Sequence, residues 1–215
     1  LGAAGPEQYE ARDKLKFPFL QPENIKDAKG RRPDVPDYDP TTLLLPSSFP
    51  KVRDANGTVW TVSPGQAQWW RFKAANFDSV LLFKMGKFYE MFEMDAHIGV
   101  RDLGLMYMRG EQPHAGFPEK NYAMHAEQLA RNGHRVVCIE QTETPAQLAE
   151  RKKKDKTCKD TVVRREMVQV LTKGTMVDTG MLNSCPDAAF VCSIVDEGEE
   201  EGAWVGICAA DCGTG

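Results

Sequence analysis

Six consecutive residues, Met85 to Glu90 (MGKFYE), combine a glycine, a lysine, an aromatic ring and a carboxylate. Gly86 allows the backbone to turn sharply, and we expect a helix to begin within two residues of it. If Tyr89 faces the core, Phe88 and Glu90 project elsewhere. An exposed aromatic beside a carboxylate costs stability unless it binds something. Two interpretations therefore stay open: a ligand-binding tip, or a core aromatic next to an acid at a helix N-terminus.

The elements that would position this tip are predicted from the spacing of apolar residues. Residues 79–85 form a short apolar run, which indicates a buried strand, and residues 89–103 have the spacing of three and four that is typical of a helix. Further strands are predicted at residues 105–108, 135–140 and 162–171, helices from Ser63-Pro64, Pro118 and Thr144-Pro145, and a hairpin at residues 190–195 and 204–210. Because strands alternate with helices, we predict an α/β fold with a mixed sheet and flanking helices.

The domain boundaries are predicted from the distribution of prolines and from where the regular spacing of apolar residues begins and ends. Nine prolines between positions 6 and 64 interrupt every candidate helix, so residues 1–62 are expected to form an extended, largely irregular arm. Residues 63–178 are predicted to be the α/β domain, and residues 179–215 the truncated start of a second α/β domain. Because the chain lacks an initiator methionine, we expect it to be a piece of a longer protein.

Composition limits the classes of protein that this chain could represent. It has 41% hydrophobic and 27% charged residues, which is ordinary for a globular domain, and no apolar run approaches the ~20 residues that cross a bilayer. The six cysteines form no C-x-x-C pair, which favours reduced thiols in a cytosolic or nuclear protein. Residues 66–175 carry 18 basic and 14 acidic side chains, a mildly basic balance that suits contact with a polyanion.

Residues 86–90 (GKFYE) resemble the Phe-x-Glu mismatch-binding motif of the MutS family of DNA repair proteins. The likeness continues in the same order through residues 116–118 (GFP), 136–145 (VVCIEQTETP), 162–175 (VVRREMVQVLTKGT) and 204–213. Within the family, the chain is most similar to the eukaryotic MutS homologue 6 branch, because residues 31–39 (RRPDVPDYD) also resemble the segment that precedes its mismatch domain. A plant paralogue that carries the same motif is a rival, whereas the long arm argues against bacterial members.

The resemblance implies that this chain holds the mismatch-binding domain I and the start of the connector domain. Phe88 would insert at a mispair, where stacking is weak and bending is easy. Glu90, protonated, would hydrogen-bond the displaced base. Lys84, Lys87 and Arg109 are candidates for phosphate contacts, and the remaining predicted DNA-binding residues are Met85, Gly86 and His114. Neither catalytic nor metal-binding residues are expected.

The resemblance also implies partners and a cellular location. We expect mismatched duplex DNA and, as heterodimer partner, the MutS homologue 2 subunit, in the nucleus. No G-x-x-x-x-G-K-[ST] loop occurs in the chain, so ATP and magnesium are expected only in the full-length parent, an ATPase, while this chain is expected to have no cofactor and no enzymatic activity.

Two alternatives of other classes stay open. The first is a protein-interaction module in which Phe88 is an interface anchor. The second is an enzyme that uses the acidic residues Glu90, Glu93 and Asp95, or a metal held by Glu93 and His97 at helical spacing. A second histidine with ligand spacing is missing, which argues against the metal site.

Overall fold

A five-stranded mixed sheet, flanked by helices, forms the centre of this computed structural model, which describes residues 6–53, 57, 59–110, 112–175, 190–196 and 205–211. The predicted α/β fold class is confirmed. The elements in chain order are α1 (Pro6–Lys16), β1 (Val52–Arg53), β2 (Val59–Trp60), α2 (Pro64–Ala75), β3 (Ser79–Met85), β4 (Phe88–Phe92), α3 (Met94–Leu103), β5 (His114–Pro118), α4 (Tyr122–Arg131), β6 (Arg135–Gln141), α5 (Pro145–Lys154), β7 (Arg165–Leu171), β8 (Phe190–Asp196) and β9 (Val205–Asp211).

Strand order in the main sheet is β5-β4-β3-β6-β7. The central strand β3 pairs antiparallel with β4 and parallel with β6, and the outer strands β5 and β7 each pair antiparallel with their neighbours. Strands β3, β5 and β6 therefore run in the same direction. Their last residues, Met85, Pro118 and Gln141, lie at one end of the sheet, which we call the tip end.

Two apolar clusters cover the two faces of the sheet, because successive strand residues point to opposite faces. Helix α4 packs on the first face, where Val80, Leu82, Tyr89, Met91 and Phe117 are buried against Ala126, Leu129 and Ala130. Helix α2 packs on the second face, where Leu81, Phe83 and Phe92 are buried against Trp69, Trp70, Phe17 and Leu43. The N-terminal segment thus contributes to the second core.

Two of the three helix starts predicted at a proline are confirmed, those of α2 and α5, whereas Pro118 is the last residue of β5 and α4 begins only at Tyr122. Ser63 caps α2: its Oγ accepts a hydrogen bond from the Gln66 backbone N (3.3 Å), and the Gln66 side chain accepts one from the Ser63 backbone N (2.7 Å). Thr144 and Gln147 form the same reciprocal cap at α5. These caps satisfy backbone N–H groups that have no partner within the helix.

The predicted helix over residues 89–103 is wrong in its first part. Phe88–Phe92 is the strand β4, and helix α3 begins only at Met94. The strand forms because β3 and β5 offer their edges on both sides of it. The predicted strand at residues 105–108 is also wrong: this segment is irregular, and Met108 N donates to the carbonyl of His114 (2.8 Å). Strand β5 was not predicted, and α4 follows it after a single 3-10 turn.

The prediction that prolines interrupt every N-terminal helix is wrong, because α1 spans Pro6–Lys16. Its first residue is proline, and a missing N–H costs little at that position. The segment that follows is irregular, but backbone hydrogen bonds join it to the end of α2 and the residues after it. Leu43 N donates to the Ala74 carbonyl (2.8 Å), and Phe77 N donates to the Thr41 carbonyl (2.7 Å). The N-terminal segment therefore packs on the α/β domain over much of its length.

The predicted C-terminal hairpin strands are present as β8 and β9, which pair antiparallel in a separate two-stranded sheet. The acidic turn expected between them lies outside the described residues. Strand β7 begins at Arg165, three residues later than predicted. In the described part of the chain, no helix has the length and apolar character to cross a membrane.

Candidate nucleic-acid interface

A tight turn joins β3 to β4 at the tip end of the sheet. Met85 pairs with Phe88, and only Gly86 and Lys87 lie between them. Gly86 has φ +60°, a left-handed conformation that favours glycine, while a Cβ there would meet no atom within 4 Å. The glycine is therefore required by the backbone and not by crowding. The carbonyl of Lys87 accepts a hydrogen bond from Glu119 N (2.9 Å), which attaches the turn to the end of β5.

Phe88 is 42% exposed and Met85 is 38% exposed. Both side chains lie on the second face of the sheet. Phe88 lies opposite Met85 of β3 on one edge of its strand and opposite Pro118 of β5 on the other edge. Among the described residues, no aromatic ring contacts the ring of Phe88. Two large apolar side chains are thus partly exposed to solvent side by side, at the strand pair next to the turn.

Glu90 lies on the same face as Phe88, two residues further from the turn, and is half-buried. Its pairing partner on the neighbouring strand β5 is Gly116. A Cβ at Gly116 would lie 2.8 Å from the carbonyl oxygen of Tyr89 and 3.1 Å from Cγ of Glu90. The absence of a side chain at Gly116 therefore makes room for Glu90. Gly116 is not in the predicted site, although it lies in a segment of the family resemblance.

Burial raises the pKa of the Glu90 carboxyl above its ordinary value, while the nearby charges of His114 and Arg165 act in the opposite direction. Burial is the larger effect, so this carboxyl is protonated more readily than an exposed glutamate. His114 lies on the same face of β5; its ring stacks on Phe92 with centroids 6.1 Å apart, and its Nδ1 lies 3.1 Å from the Gln112 carbonyl.

Arg165, at the start of β7, was missed by the sequence analysis as a site residue. Its Nε donates to the carbonyl of Lys84 (2.9 Å), and its two Nη atoms contact Gln68 Oε1 (2.7 Å) and Met85 Sδ (3.2 Å). Its guanidinium lies 4.6 Å from the centroid of the Phe83 ring. Arg165 thereby holds the end of β3 in place and puts a positive charge near Glu90. Its partners are far away in the sequence, so spacing offers no signal for it.

The three predicted phosphate-contacting residues lie in different places. Lys87 is exposed in the turn beside Phe88. Lys84 lies on the opposite face, where its Nζ pairs with Glu119 Oε2 (2.5 Å) and lies 4.5 Å from the Tyr89 ring centroid. Arg109 is exposed in the loop before β5, at the end of that strand away from the tip. The structure thus groups Met85, Gly86, Lys87, Phe88, Glu90 and His114 on the turn and one face, and separates Lys84 and Arg109 from them.

The acidic residues of the alternative enzyme interpretation have structural partners instead. Glu93 pairs with Arg12 of α1, and Asp95 accepts hydrogen bonds from Lys73 Nζ (2.7 Å) and Leu81 N (3.0 Å). The Nδ1 atom of His97 lies 2.5 Å from the Tyr107 hydroxyl. Over the described residues, no group of three histidine, cysteine, aspartate or glutamate side chains is arranged to hold a metal ion. These carboxylates connect α1, α2 and α3 to the sheet.

A family model described as MutS domain I matches residues 63–180 of the chain. The chain belongs to the MutS family. Its sequence is 50% identical over 192 residues to DNA mismatch repair protein MSH6 of Arabidopsis thaliana, covering 89% of the chain and 14% of that relative. It is 44% identical over 203 residues to the probable DNA mismatch repair protein Msh6 of Drosophila melanogaster, covering 93% of the chain and 16% of the relative.

The plant paralogue considered above is more distant: DNA mismatch repair protein MSH7 of Arabidopsis thaliana is 35% identical over 191 residues, which cover 87% of the chain and 16% of that relative. The expected likeness of this MutS chain to the homologue 6 branch is confirmed. The chain spans only about a sixth of the length of these relatives.

Proposed function

We propose that this MutS-family chain recognises mispaired bases in duplex DNA for mismatch repair, with Phe88 as the inserted side chain. The observation that carries the proposal is the exposed ring of Phe88 on a glycine turn at the end of a MutS domain I. The names of the relatives, which are DNA mismatch repair proteins, support it.

The energy balance favours insertion at a mispair. Unstacking a base step costs a few kcal/mol, and the cost is smaller where the bases are poorly stacked and the duplex bends easily. An aromatic ring that stacks on a base contributes about 1–3 kcal/mol. Phe88 therefore enters a mispaired step at lower net cost than an intact one. Met85 adds apolar surface beside the ring, and Lys87 contacts a phosphate, which positions the protein without reading sequence.

Glu90 adds discrimination. An ionised carboxylate close to phosphates is repelled, which lowers affinity for intact duplex. At a mispair, the protonated carboxyl donates a hydrogen bond to a ring nitrogen of the displaced base. The raised pKa of Glu90, caused by burial, supports this role because it lowers the cost of protonation.

The remaining functions belong to the full-length protein. We propose that it acts in the nucleus as a heterodimer with the MutS homologue 2 subunit, and that DNA bending at the mispair biases a distant ATPase that uses ATP and magnesium. The 215 residues contain no G-x-x-x-x-G-K-[ST] loop, the motif that would hold the phosphates of ATP. We propose that this chain has a binding role without catalysis.

The decisive experiment replaces Phe88 with alanine in the full-length heterodimer and titrates G·T and matched duplexes. We expect Phe88→Ala to remove most of the preference for the G·T duplex while the heterodimer still assembles. The control is Met108→Ala, because Met108 is 39% exposed and lies outside the turn. An unchanged preference in Phe88→Ala contradicts the proposal, and loss of assembly instead identifies Phe88 as a subunit-interface anchor.

The role of Glu90 is tested by Glu90→Gln in the same assay. The amide keeps a hydrogen-bond donor and has no titratable proton, so affinity for the G·T duplex is retained and its pH dependence is reduced. A large loss of mismatch affinity in this variant contradicts the protonated-acid role.

A further inference from the structure

A strongly basic segment connects α5 to β7. Residues 151–165 contain eight basic and two acidic side chains, a net charge of +6 within 15 residues. A charge run of this kind is usually a solvated helix end, so its placement and its internal pairing decide whether it can bind a polyanion.

The acidic side chains of this region are held by local contacts. Arg151 makes a two-bond contact with Glu143 (Nε–Oε1 2.7 Å, Nη2–Oε2 2.9 Å), and its Nη1 contacts Asp160 Oδ2 (2.6 Å). The Asp155 carboxylate accepts hydrogen bonds from the backbone N (2.9 Å) and Oγ1 (2.6 Å) of Thr157. These contacts hold the loop between α5 and β7, and the segment keeps its net charge of +6 with both of its carboxylates counted.

Four lysines of the segment carry the outward charge, and we call them the basic flank: Lys152, Lys153, Lys156 and Lys159. All four are exposed, and within the described residues none of them forms an ion pair. The neighbouring Lys154 differs because its Nζ pairs with Glu150 Oε1 (2.7 Å). Exposed ammonium groups without a carboxylate partner are the groups that exchange counterions for phosphates.

The strand directions place the basic flank at the tip end of the sheet. It follows Gln141, the last residue of β6, which lies at the same end as Met85 because β3 and β6 are parallel. Side-chain contacts hold both ends of the segment there: Arg151 binds Glu143, which follows β6, and Arg165 Nε donates to the Lys84 carbonyl (2.9 Å). The basic flank and the Phe88 turn are therefore parts of one end of the domain.

We propose that the basic flank is a second DNA-contact site, which binds the phosphate backbone of the duplex whose bases meet Phe88. This inference rests on the proposed function. The flank contributes affinity for any duplex, because phosphate contacts carry no base information, while the Phe88 turn contributes the preference for mispairs. The exposed ammonium groups of the flank also make it unsuitable for binding an apolar surface of a partner.

The experiment measures binding against salt concentration for the full-length heterodimer. The variant carries Lys152→Gln, Lys153→Gln, Lys156→Gln and Lys159→Gln, and the control removes the same charge through Lys26→Gln, Lys29→Gln, Lys51→Gln and Lys173→Gln. The slope of log K against log salt falls by about 0.9 for each phosphate that the protein no longer neutralises, so we expect a decrease of roughly 1 to 4 in the flank variant. Affinity for matched and G·T duplexes should fall by the same factor.

Measuring Phe88→Ala in parallel separates the two proposals. That variant is expected to keep the wild-type salt slope and lose the G·T preference, the reverse of the flank variant. An unchanged slope in the flank variant overturns the phosphate site, even if Phe88→Ala behaves as proposed. An equal decrease in the control variant also overturns it, because the effect then comes from net charge. Loss of heterodimer assembly with an unchanged slope assigns the flank to a protein partner and overturns it too.

Discussion

Gly116 lies directly opposite Glu90 in the β4–β5 ladder, and a Cβ at Gly116 would lie 3.1 Å from Cγ of Glu90. It would also lie 2.8 Å from the Tyr89 carbonyl oxygen, which belongs to the backbone and cannot move without shifting the strand. The position of the Glu90 carboxyl therefore depends on a missing side chain on the neighbouring strand.

The first prediction concerns this contact. Gly116→Ala should lower the free energy of unfolding by about 1–3 kcal/mol, the usual cost of forcing extra atoms into a close-packed site. Displacing Glu90 should also weaken the preference for mispaired duplex. Urea unfolding and duplex titration measure the two effects. Gly174→Ala is the matched control, because a Cβ there meets no atom within 4 Å; equal stability losses in both variants would contradict the steric argument.

The second prediction concerns Arg165 and the titration of Glu90. The positive charge of Arg165 favours ionised Glu90 and so lowers the pKa of that carboxyl against the effect of burial. Arg165→Gln should therefore raise the pKa of Glu90. Carbon NMR of the Glu90 carboxyl over a pH series measures the midpoint directly.

The control for this titration is Arg164→Gln, because Arg164 is exposed and its backbone N contacts Glu143. It should leave the Glu90 midpoint unchanged. A midpoint that moves downward or stays constant in Arg165→Gln would show that Arg165 acts on the turn only through its contacts with Lys84, Gln68 and Met85.

The third prediction concerns the buried ion pair between Arg12 and Glu93. Burial raises the pKa of Glu93 from 4.5 to about 7, although Arg12 acts to lower it. Because the folded-state pKa is the higher one, the stability from this group is complete below about pH 4.5 and is lost as the pH rises through about 7. Arg12→Met removes the cation, raises this pKa further and makes the loss with pH larger.

Urea unfolding at pH 6 and pH 8 checks the sign. Breaking a buried pair by removing one partner costs about 3–5 kcal/mol. The cost should be greater at pH 8, where the carboxylate must be ionised without its partner, than at pH 6, where it can bind a proton. Loss of the packing of Arg12 against Phe17 affects both pH values equally, so a cost independent of pH would contradict the electrostatic argument.

The fourth prediction concerns Lys73 and Asp95, which connect α2 and α3 to β3. Lys73→Met should destabilise the fold by about 3–5 kcal/mol, because it leaves the Asp95 carboxylate buried without its cation. Adding Asp95→Asn should recover part of that stability, since the amide oxygen still accepts from Leu81 N and no buried charge is left. A double variant less stable than Lys73→Met alone would contradict this account.

Local sequence signals predicted much of the fold. Spacing and capping chemistry suffice to locate elements that depend on residues close in sequence. These are the apolar strands β3 and β6 and the helix starts of α2 and α5, where an N-cap residue precedes a proline. The residues from Gly86 to Glu90 likewise indicated an exposed tip through their resemblance to the family motif. That Phe88 inserts into DNA is a proposal.

The error at β4 shows where local signals fail. Tyr89 and Phe92 have helical spacing, while Tyr89 and Met91 have strand spacing, so the segment is compatible with both periods. The decision came from strands β3 and β5, which satisfy the backbone hydrogen bonds of β4 on both edges. The five residues of β4 cannot decide between helix and strand by themselves, so the pairing with β3 and β5 decides.

The sequence by itself determined the family, the α/β character and the glycine-hinged turn, because these depend on residue order and local backbone chemistry. Only the tertiary structure decided which side chains share a face with Phe88. The register of β3 with β4 turns Lys84 away from Glu90, and packing of β7 brings Arg165 onto Phe83 and Met85. Arg165 and its partner Lys84 are 81 positions apart, so such relationships exist only when the sheet has formed.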